Sequence, residues 1–150
     1  MTQSPEHETI VNLLRSSRTV AVVGLSDDPD RPSHEVAAFL QEHGYHIIPV
    51  NPRITEALGV RSYPDLLAIS EPVDIVNIFR RSDAVPPIVD QAIQLGAKAV
   101  WMQKGVINPA AAEKASAAGL QVVMDRCIMV ELSRLFRDGT LSPPTASSIS

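Results

Sequence analysis

The residues best placed to do chemistry are Gly24, Ser26 and Ser33, in the stretch TVAVVGLSDDPDRPS from Thr19 to Ser33. None is a strong acid or base. Together they suit a different task, the seating of a phosphate. Val20 to Val23 form a short β-branched apolar run, which fits a strand buried on both faces. Gly24 ends the run, and Leu25-Ser26 opens a turn dense in Asp and Pro. Val36, Phe39 and Leu40 then recur at helical spacing. Ser33 stands where an N-cap is expected, with its hydroxyl accepting from an orphan amide of the first turn. Strand, glycine turn and helix N-terminus bring free N–H groups and the positive helix end to one point. An anion is favoured there.

Such a site needs walls, and the rest of the chain predicts them. Ser4-Pro5-Glu6 reads as N-cap, first helical residue and early acid of a cover helix, about residues 4–16. Gly44 stops the helix after the first strand, and His46–Val50 is a second strand closed by Asn51-Pro52-Arg53. Residues 54–63 read as a loop, and Pro64 as the start of a short helix with Leu66 and Leu67. Val73 to Phe79 is a third strand, Lys98 to Met102 a fourth and Leu120 to Met124 a fifth. Pro86 and Pro87 fit only the first turn of the helix after the third strand. Asn108-Pro109 is an N-cap followed by a first-turn proline, and Asp125 is expected to cap a last helix through Leu135.

Strands alternating with helices predict an α/β fold, a doubly wound, five-stranded parallel sheet with helices on both faces. The expected strand order is of the type 3-2-1-4-5. Ligands of such sheets bind beyond the carboxyl ends of the strands. The residues at those ends are Gly24 to Ser26, Asn51-Pro52-Arg53, Phe79-Arg80-Arg81 and Gln103-Lys104-Gly105. Arg80 and Arg81 sit at a helix start, a poor place for cations unless an anion lies near.

A chain of 150 residues fits one domain, here expected over residues 1–137 with a disordered Ser/Pro/Thr-rich tail at 138–150. A formal net charge of −4 and no basic run argue against general nucleic-acid binding. Cys127 is the lone cysteine, which excludes an intrachain disulfide and suits the cytoplasm. It reads as a small buried hydrophobe. The N-terminus has no signal-peptide pattern, and no apolar run approaches a membrane span. His7, His34, His43 and His46 have no ligand spacing, so no metal site is expected.

The ligand is read from what the strand ends lack. A dinucleotide fingerprint needs G-x-G-x-x-G, but the matching positions hold Gly24, Ser26 and Pro29. An acid that would hold a ribose diol is missing after the second strand, where Val50-Asn51-Pro52-Arg53 stands. That change favours a phosphorylated ribose, found in NADP and in coenzyme A. The missing close-approach glycine tilts the balance toward coenzyme A. Its pyrophosphate would sit at Ser26 and the helix start near Ser33, its ribose phosphate at Arg53, and Phe79 and Val50 would form apolar walls.

The segments VAVVGLSDDPDRPSHEVAAFLQEHGYHIIPVNP, VDIVNIFRRSD, AVWMQKGVIN and GLQVVMDRCIMVE, in this order over about residues 19–131, resemble a known family. It is that of the small stand-alone CoA-binding proteins, similar to the N-terminal domain of the succinyl-CoA synthetase α subunit. The resemblance implies a Rossmann-like fold and coenzyme A as cofactor. Carried over position by position, it implies binding by Gly24, Ser26, Ser33, Asn51, Pro52, Arg53, Phe79, Arg80 and Gln103. Ile128 departs from the family's usual proline, and Lys104 from an apolar residue. The expected function is binding of coenzyme A or acyl-CoA without catalytic machinery, since the chain lacks room for the synthetase's phosphohistidine segment and nucleotide-grasping partner. Two alternatives stand beside it. One is a small NADP-dependent oxidoreductase, although neither Tyr45 nor Tyr63 has a lysine four residues on. The other is an acyl-CoA-sensing regulatory or scaffold subunit of a protein partner.

Overall fold

The computed structural model describes residues 4–142. Its elements are α1 (Pro5–Ser16), β1 (Thr19–Val23), α2 (Pro32–Glu42), β2 (His46–Val50), β3 (Glu56–Ala57), β4 (Val60–Arg61), β5 (Ile75–Ile78), α3 (Val85–Leu95), β6 (Ala99–Met102), α4 (Pro109–Ala117), β7 (Gln121–Val123) and α5 (Ile128–Arg137). Short 3-10 turns at Leu66–Ala68 and Ser82–Ala84 precede β5 and α3 respectively. The main sheet is parallel and five-stranded, in the order β2-β1-β5-β6-β7. It is doubly wound. Val20 and Val22 pack with α1, α2 and α5 on one face, while Ala21 and Val23 pack with α3 and α4 on the other. Burial on both faces is why β1 reads as an unbroken apolar run.

The strand order differs from the 3-2-1-4-5 expected. The third long strand, β5, pairs with β1 on the side away from β2, so β2 is an edge. Right-handed crossovers permit either order, and Pro49 decides. It lies opposite Val22 in the middle of β2 and has no N–H to give a further neighbour. Among the described residues the outer side of β2 makes no strand pairing beyond an isolated bridge to Tyr63, whose N–H donates to the Pro49 carbonyl at 3.0 Å.

Four local expectations are corrected as well. Residues 54–63 are not a plain loop, because β3 and β4 pair antiparallel across a Leu58-Gly59 turn. Leu58 there has φ 55, a conformation its side chain disfavours. The turn at Leu66–Ala68 is capped by Asp65, one residue past Pro64, through the Ala68 N–H. Ser33 does not cap α2. Pro32 takes the first helical position, which leaves Arg31 as N-cap without a side-chain bond. Nor does Asp125 cap α5, which begins after Cys127. Asp125 adopts φ 63 and accepts from the Gly105 N–H at 2.8 Å.

The caps at Ser4 and Asn108 form as expected, accepting from the N–H groups of His7 and Ala111. Trp101 is fully buried and donates from Nε1 to the Arg126 carbonyl at 2.8 Å. Of the expected tail, residues 143–150 lie outside the described residues, while Leu141 packs on the core and donates its N–H to Leu135. Among the described residues no helix is long and apolar enough to cross a membrane.

Candidate ligand site at the sheet switch point

The strand order places the switch point between β1 and β5. The chain leaves β1 toward β2 through α2 and returns to β5 through the opposite face. The two outgoing loops diverge there, and a crevice opens beyond the strand ends. Parallel register brings those ends level, with Val23 opposite both Val50 and Ile78. The Gly24 N–H donates to Val50 and the Phe79 N–H to Val23, at 2.9 and 2.8 Å.

Gly24 is the tightest point of the junction. Its φ is +90°, and a Cβ there would stand 2.3 Å from the Phe79 carbonyl oxygen and 3.0 Å from Arg80 Cδ. The absent side chain thus makes room for the protein's own β5 loop. Ser33 is buried and holds the next turn from within, its Oγ accepting the Ser26 N–H at 3.0 Å. Ser26 Oγ in turn accepts the Asp28 N–H at 3.0 Å, so the proton of that hydroxyl is left to donate outward.

Asn51 joins the second strand end to the first. Its Nδ2 donates to the Leu25 carbonyl at 2.9 Å, and its Oδ1 accepts the Arg53 N–H at 2.9 Å. Asn51→Ala is expected to lower stability by about 1–3 kcal/mol, since the Leu25 carbonyl loses its partner in a half-buried setting. Urea unfolding measures this, and an unchanged midpoint would show that the Asn51 staple contributes nothing.

A cleft of about 290 Å³ runs from the switch point toward α3, walled by Val23, Val50, Pro52, Leu66 and Ile88 with Arg80 at its edge. Pro52 and Arg80 are therefore brought together. Arg53 is exposed on the adjoining loop, and Phe79 is half-buried against the opposite core layer. The neighbouring arginines of the β5 loop differ in kind. Arg81 is spent on Asp83 at 2.9 Å, and the guanidinium holds that carboxyl below the usual carboxylate range. Arg80 and Arg53 meet no carboxylate among the described residues.

Gln103 is placed elsewhere. It is buried, and its Oε1 accepts from Asn77 Nδ2 at 3.2 Å and from the Ile128 N–H at 3.3 Å, tying β5 and β6 to the start of α5. Two polar lining groups, Asp65 and Gln91, escape a reading of the sequence. Asp65 lies one residue past Pro64, outside every strand end. Gln91 reaches the cleft only because α3 packs beside the Leu66 turn.

Comparison with known proteins bears on this arrangement. The family described as "CoA binding domain" matches residues 18–133. The chain belongs to the CoA-binding domain family. An uncharacterized protein of Bacillus subtilis, YneT, is 45% identical over 128 residues, spanning 85% of this chain and 95% of that one. A solved structure of a hypothetical protein from Pyrococcus horikoshii superposes with a TM-score of 0.85 at 38% identity, covering 91% of this chain and 98% of its own. An ADP-forming acetate–CoA ligase II of Archaeoglobus fulgidus is 31% identical over 83 residues. The match covers 54% of this chain and 12% of the ligase. The CoA-binding domain thus corresponds to a small part of that larger enzyme. The superposition supports the Rossmann-like α/β reading of the sheet.

Proposed function

We propose that this CoA-binding domain binds coenzyme A or an acyl-CoA across the ends of β1, β2 and β5, without chemistry of its own. The observation that carries the reading is the match to the CoA-binding family on a chain whose switch-point cleft is lined by Arg80, with Arg53 exposed on the adjoining loop and neither meeting a carboxylate among the described residues. The base enters the apolar cleft. The pyrophosphate lies over the Gly24–Ser26 turn, near the Ser26 hydroxyl and Arg80. Arg53 and the Asn51-Pro52 corner receive the ribose phosphate. Ser33 and Asn51 serve by shaping the two turns, and Phe79 offers an apolar edge to the pantetheine arm. Gln103 acts at a distance, by holding α5 against the sheet.

The NADP reading is less well supported. A dinucleotide asks for close backbone approach at a position the fingerprint gives to glycine, and Ser26 stands there. Thermal melting decides between the ligands. A ligand at a hundred times its dissociation constant stabilises the native state by about 2.7 kcal/mol. For a domain of this size that raises Tm by roughly 5–10 °C. Coenzyme A is expected to produce this shift at a concentration where NAD and NADP produce less. A larger shift with either dinucleotide overturns the reading.

A further inference from the structure

We propose that Asp65 and Gln91 read the base of the bound nucleotide and select adenine over a 6-oxo purine. The inference rests on the reading that a nucleotide lies at the switch point, and adds which side chains recognise it. The cleft is apolar apart from Asp65, Arg80 and Gln91. Pro52, Pro64 and Pro87 contribute rigid, flat walls to it. A slot of this kind suits a planar ring, and its few polar groups then set orientation and specificity.

Those polar groups are held in defined states by the protein. Gln91 Oε1 accepts the Leu66 N–H at 3.1 Å. An N–H must meet the oxygen and not the nitrogen of the amide, so this bond fixes which end of Gln91 is which. Nε2 is left as a donor with no partner among the described residues. Asp65 Oδ1 accepts the Ala68 N–H at 3.1 Å, which anchors the carboxylate at the start of the 3-10 turn. Its second oxygen is left as an acceptor. Pro87, Ile88 and Gln91 lie on one face of α3, and Asp65 directly precedes the Leu66 that Gln91 holds. One fixed acceptor and one fixed donor therefore border the same slot.

Adenine presents a donor, the N6 amino group, beside an acceptor ring nitrogen. Asp65 accepts from N6 while Gln91 donates to the ring nitrogen. A purine with oxygen at position 6 places an acceptor against the Asp65 carboxylate and is rejected. The assignment also accounts for an exposed aspartate beside a site otherwise built for anions.

The test compares adenosine 3′,5′-bisphosphate with inosine 3′,5′-bisphosphate by calorimetric titration of the intact protein. The wild type is expected to prefer the adenine compound by about tenfold or more. Asp65→Asn keeps an oxygen for the Ala68 N–H but turns a donor toward position 6, and is expected to erase or reverse the preference. Gln91→Glu keeps the acceptor for Leu66 and loses the donor, and is expected to weaken the adenine compound severalfold. Melting curves of both variants confirm folding. Equal wild-type binding of the two compounds, or an undiminished preference in folded Asp65→Asn, overturns the proposal. Coenzyme A titrated in parallel separates the two readings. Base preference without coenzyme A binding keeps this inference and removes the ligand assignment. Coenzyme A binding without base preference does the reverse.

Discussion

Gly24→Ala is expected to lose stability and coenzyme A binding together. The added methyl would lie 2.3 Å from the Phe79 carbonyl oxygen, and that oxygen is backbone. A flexible side chain would swing aside, but a peptide unit at the end of a central strand moves only with its strand. The φ of +90° adds a second cost. An alanine there is strained by about 1–3 kcal/mol whatever space surrounds it. Strain and contact together are expected to remove roughly 3–4 kcal/mol, at or above the upper end of what single substitutions usually cost. Melting would fall by about 6–16 °C.

A second glycine separates the two terms. Gly119 has φ +95°, and a Cβ there meets nothing within 4 Å. Gly119→Ala therefore carries the strain without the collision. The excess loss in Gly24→Ala reports the contact with the β5 loop. Ligand affinity divides them further. To relieve the clash, Phe79 and Arg80 must move away from the β1 turn, which widens the junction proposed to seat the pyrophosphate. Coenzyme A affinity is expected to fall about tenfold or more in Gly24→Ala, a ground-state contact loss of at least 1.4 kcal/mol, and to stay near wild type in Gly119→Ala. Equal stability of the two variants, with wild-type affinity in Gly24→Ala, would show that the loops do not depend on this contact.

How much of this was legible in the chain follows from what each residue answers to. The bounds of β2 were readable because a buried parallel strand leaves an unbroken apolar run between punctuating residues, here Gly44 and Asn51. Ser4 and Asn108 were readable because a cap answers to its own helix, three residues away. Ser33 was misread for a local reason. Pro32 fits the first helical turn better than any cap position, which pushes the cap back to Arg31. The strand order had a signal in Pro49, since a proline in mid-strand needs an edge. The β3–β4 hairpin lacked one, because its turn carries Leu58 at positive φ in place of Asn or Asp.

The candidate site divides the same way. Gly24, Asn51 and Arg80 stand at strand ends, and doubly wound topology sends strand ends to the crevice. Gln103 also ends a strand, but β6 lies one strand beyond the switch point and its side chain turns into the core. Asp65 and Gln91 are separated in sequence and meet only through packing of α3 on the Leu66 turn, which no spacing rule records.

Arg80→Ala is expected to weaken coenzyme A binding by about 10- to 150-fold, the loss of one charge-assisted contact to phosphate. Arg80 is singled out by three features. It lines the cleft, its Cδ packs at the β1 turn, 3.0 Å from where a Gly24 Cβ would stand, and no carboxylate among the described residues claims its charge. Arg81, next in the chain, is the internal control. Its side chain is 84% exposed and its guanidinium is paired with Asp83, so Arg81→Ala is expected to change affinity no more than about twofold, as for exposed pairs in general. Arg80→Lys keeps the charge but loses the planar fork, and is expected to recover only part of the affinity. Dephospho-coenzyme A then assigns the two phosphate positions. If Arg80 faces the pyrophosphate, its removal weakens coenzyme A and dephospho-coenzyme A by the same factor. If Arg53 faces the ribose phosphate, Arg53→Ala abolishes the difference between the two ligands and leaves the affinity for dephospho-coenzyme A unchanged. Titration calorimetry at two salt concentrations reads both effects, since loss of an arginine–phosphate contact also flattens the salt dependence of binding. Wild-type affinity in a folded Arg80→Ala protein would place the phosphates away from the β1–β5 junction and would require a different path for the ligand across the sheet.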